Sequence, residues 1–99
     1  MGLEIVIDPE GEDETALSLA SSLGWSDLCD WATVLDQESY PDLYMLCDEG
    51  AANSAQAVAG QLKAAIEDSP PDNPEIDDTA RDLIENLDGR GDVPLYVTT

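Results

Sequence analysis

The sequence predicts an α-rich α+β fold, with about four helices packed with a small sheet formed by the N- and C-terminal strands. Three observations lead there. β-Branched apolar runs stand near both ends of the chain; between them apolar residues recur at helical spacing; and Pro, Gly, Ser and Asn separate the segments where caps and turns belong. Ninety-nine residues suit one compact acidic domain over 1–99, with an expected radius of gyration of about 13 Å. The sequence contains neither an internal repeat nor an interdomain linker.

Leu3, Glu4, Ile5, Val6 and Ile7, bounded by Asp8 and Pro9, read as the first strand. After the loop "DPEGEDE", Asp13 is a natural N-cap, and Ala16, Leu17, Ala20 and Leu23 recur at helical spacing up to Gly24, which suits the residue just past a helix end. Ser26 then caps a second helix, whose stripe Leu28, Trp31, Ala32 and Leu35 leaves Asp27, Asp30 and Asp36 mostly toward solvent. In "YPDLYMLCDEG", Pro41 at a first helical position with Asp42 behind it favours a short helix, whereas "LYMLC" alone suits a buried strand.

From Ala51 to Glu67, Ala51, Ala55, Val58, Leu62, Ala65 and Ile66 line one face of an alanine-rich helix. Gly60 either weakens that helix or marks a close crossing. The prolines of "DSPPDNPEIDD" end it, and Asn73 caps the last helix with Pro74 at its first position. Ile76, Ala80, Leu83, Ile84 and Leu87 are its buried face, Gly89 its stop, and Asp77, Arg81 and Glu85 a ladder of i, i+4 pairs. "VPLYVTT" reads as a strand. Because two strands alone are marginal, the terminal segments should pair with each other or with "LYMLC" and pack on the helices.

Charge is the abnormal property. Three basic residues face 23 acidic ones, for a formal net charge of −20, and the first cation in the chain is Lys63. A surface of this kind attracts cations and basic proteins and repels nucleic acid and anionic membranes, so neither is expected as a direct partner. Self-repulsion should also make stability rise with salt.

The stretch "LASSLGWSDLCDW" has the rhythm of a helix-turn-helix, with Ala20 and Gly24 at the required spacing. Where an apolar residue should lock the second helix, however, stands Asp30, and "SDLCDWATVLDQE" holds no Arg or Lys to read a base. DNA reading is excluded on these grounds.

Catalysis finds little support. The chain has no His to activate a Ser or Cys nucleophile, and with 23 carboxylates in 99 residues a close pair carries no information about mechanism. No cofactor motif is present. Asp72, Glu75, Asp77 and Asp78 cluster at a helix start but lack a calcium-loop spacing, so no metal site is expected. Cys29 and Cys47 are too few for a disulfide framework and read as small buried hydrophobes in a reducing compartment rather than as a bridge. "GRGDVP" reads as a turn, and the N-terminus has neither a basic leader nor a long apolar run, which points to the cytoplasm.

These observations converge on an acidic protein-binding module of the inhibitor, antitoxin, immunity or DNA-mimic kind. It would occupy a basic site on a nuclease or DNA-binding enzyme. The expected contact residues are the acids of the cation-free middle segment, Asp27, Asp30, Asp36, Glu38, Asp42, Asp48 and Glu49, with Trp25, Tyr40 or Tyr44 as apolar anchors. The alternatives are a salt-adapted acidic domain of unrelated function and a non-catalytic subunit or scaffold of a larger assembly.

Overall fold

The computed structural model describes residues 3–11, 15–19 and 22–98. In chain order they form β1 (Leu3–Ile7), β2 (Thr15–Leu19), α1 (Ser22–Thr33), α2 (Pro41–Glu49), β3 (Ala51–Ala52), α3 (Ala55–Asp68), α4 (Pro74–Leu87) and β4 (Leu95–Thr98). The protein is helix-rich α+β, and its terminal strands β1 and β4 do pair, antiparallel, with Ile5 opposite Val97 and Ile7 opposite Leu95.

The sheet is wider than the sequence predicts. Its order is β2-β1-β4-β3, with every pairing antiparallel. β2 occupies part of the stretch expected to be a helix starting at Asp13, a residue that lies outside those described. "TALSL" satisfies two periods at once: Ala16, Leu17 and Leu19 suit a helical stripe, but Leu17 and Leu19 also alternate with Ala16 and Ser18. β2 pairs with the edge of β1 that β4 leaves open, and pairing decides the outcome: Leu19 lies opposite Leu3, Leu17 opposite Ile5 and Thr15 opposite Ile7.

A second correction follows from the first. Gly24 is no helix stop and Ser26 no cap, because α1 runs through both from Ser22. The helix–glycine–helix rhythm is therefore strand followed by one helix. The segment from Pro41 is helical, ending at Gly50, whose φ of 77° is the left-handed conformation glycine adopts at low cost and whose N–H closes on the Leu46 carbonyl at 3.0 Å. The alanine-rich helix starts later than its apolar pattern implies: Ala51 is exposed in β3, and Ser54 caps α3 by accepting from the Ala57 N–H. Asn73 caps α4 as its sequence predicts, accepting from the Glu75 N–H at 2.9 Å.

The helices close a ring in which α1 packs on α2 and α4, and α3 packs on the same two. One side of the sheet joins them: Ile5, Ile7 and Leu95 are buried with Leu28, Leu43, Leu46, Val58, Leu62, Leu83 and Leu87 in one apolar cluster. The alternate strand positions face outward, so Glu4 and Tyr96 are exposed. No polar or charged residue is buried among those described, and the Cα radius of gyration is 12.2 Å. Despite its charge the chain packs as closely as an ordinary domain of its length, because all its carboxylates with a described side chain stay at the surface. No helix among the described residues is long and apolar enough to cross a membrane.

Candidate binding face on the second helix

The expected contact residues divide into acids that the fold uses and acids that it leaves to solvent. Asp36 organises the turn between α1 and α2: its carboxylate accepts from the Glu38 N–H and the Ser39 hydroxyl, and its carbonyl from the Ser39 and Tyr40 N–H groups. Asp42 is held from a different helix. The Gln61 side-chain amide on α3 donates to Asp42 Oδ2 at 2.9 Å, while its oxygen accepts from the Asp42 and Leu43 N–H groups at 2.8 and 3.0 Å. Gln61 thus caps α2, whose own N-cap residue Tyr40 makes no side-chain cap bond.

The aromatic anchors also separate. Trp25 is 7% exposed and belongs to the core, which removes it from any contact surface. Trp31 packs half-buried and donates its indole N–H to the Ser69 carbonyl at 3.0 Å. Tyr40 donates its hydroxyl to Asp68 Oδ2 at 2.9 Å. That bond, partial burial and the negative charges of Asp68 and Asp36 all favour the neutral phenol and raise its pKa above 10.0.

Among the described residues, Asp30, Glu38, Asp48 and Glu49 are exposed, Asp27 is half-buried, and Tyr44 is half-buried on the outer side of α2. Positions 41, 44, 45, 48 and 49 follow i, i+3, i+4, i+7 and i+8, so they share one helix face, opposite the buried Leu43 and Leu46. On that face Pro41, Tyr44, Met45, Asp48 and Glu49, together with Gln37 from the preceding turn, line an open groove of about 220 Å³. Its lining combines a proline, a thioether, an aromatic ring and an amide with two carboxylates. Gln37 and Met45 are not among the residues the sequence points to: Gln37 reaches the groove through the turn before α2, and Met45 through its place beside Tyr44 on the outer face of the helix.

The cations lie elsewhere. Lys63 on α3 pairs with Asp88 at 3.3 Å, and Arg81 on α4 with Asp77 at 2.8 Å, one rung of the expected ladder. Arg90, in the turn after α4, donates to the Asn86 carbonyl at 2.6 Å. Lys63 and Arg81 also line a smaller groove of about 160 Å³ with Ile66, Glu67 and Ile84. The groove on α2 is therefore anionic without a lysine or arginine in its lining, while the groove between α3 and α4 is mixed.

Chemically, the α2 groove suits an elongated cation: an aliphatic stem along Met45 and Pro41, a positive head near Asp48 and Glu49, and the ring of Tyr44 beside it. Among the described residues no group of three or more His, Cys, Asp or Glu is arranged to hold a metal ion. No protein family matches this chain, and neither a curated relative nor a solved structure resembles it significantly.

Proposed function

We propose that this protein is an acidic binding module that docks a basic protein, with the outer face of α2 receiving a Lys or Arg side chain of the partner. The partner class that fits best is a nuclease or other DNA-binding enzyme, whose own ligand presents dense negative charge to the same basic site. The observation that carries this reading is the groove of Gln37, Pro41, Tyr44, Met45, Asp48 and Glu49, in which apolar side chains stand beside two carboxylates and no lysine or arginine. Rim carboxylates steer encounter and set the salt dependence, while a ring beside a bound cation adds roughly 0.5–1 kcal/mol at an exposed site. The function is non-catalytic on this reading, with no contact to nucleic acid or membrane.

A second reading is favoured by a different observation. Exposed carboxylates also stand on α4, at Glu75, Asp78, Asp82 and Glu85, so part of the negative charge serves as a surface suited to concentrated salt. The two readings separate by titrating an arginine-rich peptide into matched variants. Asp48→Asn with Glu49→Gln should weaken binding several-fold, and Asp82→Asn with Glu85→Gln should weaken it little. Equal loss in both would favour a salt-adapted surface over a docking face.

A further inference from the structure

The sheet ends on two unlike edges. Its order, β2-β1-β4-β3, leaves β2 and β3 outermost. β3 is two residues long and lies against α2, whereas β2 runs for five residues and, among the described elements, packs extensively against β1 alone. Alternate residues of β2 direct their N–H and C=O groups away from β1, where no described strand receives them. Such an edge is ordinarily blunted by charge, by proline or by a covering element. "TALSL" contains neither charge nor proline, in a chain with 23 acids among 99 residues. The outward side of the sheet repeats the pattern. One cross-strand row runs through Ala16, Val6, Tyr96 and Ala51, each opposite the next. Ala16 and Ala51 are exposed, Tyr96 is 41% exposed and Val6 is half-buried, so an uncharged row crosses all four strands.

We propose that a second copy of this chain pairs with β2, edge to edge and antiparallel, so that two four-stranded sheets join into one. Charge selects this occupant. Each copy carries a formal net charge of −20, so two copies repel wherever carboxylates meet, and an uncharged strand is where their backbones can approach. A basic strand, by contrast, finds no carboxylate on β2 to answer its charge. Main-chain hydrogen bonds supply the contact, as in other cases of strand addition. Because β2 meets its own copy, the contact is isologous and closes at two chains; the opposite edge, β3, is too short to extend the sheet further. The two-fold axis stands normal to the sheet, which puts both outward rows on one side and both sets of helices on the other. Salt separates this contact from the α2 groove. Screening weakens a basic partner in the groove but relieves repulsion between like-charged copies, so self-pairing strengthens as salt rises. The proposal stands independently of what the groove binds.

The test is sedimentation equilibrium of the full chain over a dilution series, in about 0.1 M and about 2 M KCl. The expected mass rises with concentration from the 10.6 kDa of one chain toward twice that value, and further at the higher salt. Ala16→Glu sets like charges close together across the new strand pair and should hold the protein at one copy. Ala51→Glu makes the same charge change on the same row at the far edge and should leave the dimer intact. Amide hydrogen exchange of the unmutated chain gives a readout that needs no variant: protection at positions 15–19 should increase with concentration. A single-chain mass at every concentration in high salt, association that continues past two copies, equal weakening by the two variants, or exchange at 15–19 that ignores concentration would each overturn the proposal.

Discussion

Gln61 on α3 and Asp42 at the start of α2 exchange side-chain and main-chain hydrogen bonds: the glutamine amide donates to the Asp42 carboxylate while its oxygen accepts the Asp42 and Leu43 N–H groups. One side chain thus satisfies two of the free donors of a helix to which it does not belong. Gln61→Ala should cost about 1–3 kcal/mol, because those partly buried groups lose their partner. Gln61→Glu keeps an acceptor but sets a second carboxylate against Asp42, and should be similarly destabilising at neutral pH and less so in acid. Denaturant unfolding of the two variants at both pH values checks this; a loss below about 0.5 kcal/mol would mean that water caps the helix equally well.

Tyr40 gives the alkaline counterpart. Its hydrogen bond to Asp68 favours the neutral phenol, so its folded pKa lies above the ordinary 10.0. The sign follows from linkage: a raised folded pKa contributes stability that is fully present below pH 10.0 and is lost as pH rises through the folded value. The difference in melting temperature between native protein and Tyr40→Phe should therefore hold at neutral pH and shrink above pH 10.0. A difference that stays constant into strong alkali would deny the Asp68 bond its role.

How much of this was legible in the sequence depends on the range of the physics. The caps of α4, Pro41 at the start of α2 and the terminal strands rest on neighbouring residues, and all appear in the structure where the sequence puts them. β2 does not, because "TALSL" fits both periods and only the edge of β1 decides between them. Asp36 and Asp42 look like any other surface acid in sequence, yet one builds a turn and the other meets a glutamine from a distant helix. A lone Gln in an alanine-rich segment gives no signal that it will cap another helix. The free acids Asp48 and Glu49 could be named from the sequence, but their common face with Tyr44 and Met45 follows only on the helical reading of "LYMLC" and not on the strand reading.

Asp48 and Glu49 stand in the last turn of α2, which carries no basic residue and whose dipole end is negative. Neutralising them should raise stability by roughly 0.3–1 kcal/mol each at low ionic strength, with the gain fading as salt screens it. A variant that melts higher yet binds the arginine-rich peptide more weakly would separate a binding role from a structural one. Lower stability in Asp48→Asn with Glu49→Gln would instead assign these carboxylates to the fold.

The core contains no buried charge among the described residues, so repulsion acts across the solvated surface. Far-UV circular dichroism in about 0.1 M KCl should show a cooperative melt, and the midpoint should rise in about 2 M KCl, where screening is complete within a few ångströms. A chain unfolded at the lower salt and folded only at the higher would make the acidic surface an environmental adaptation.

The most direct test of the binding face is residue-level mapping: isotope-labelled protein titrated with the arginine-rich peptide at low salt and followed by backbone amide shifts. The account predicts saturable changes concentrated at Gln37, Tyr44, Met45, Asp48 and Glu49, reversed by salt and reduced by Tyr44→Ala. Shifts spread evenly over the acidic positions of α1, α2 and α4, without saturation, would contradict it.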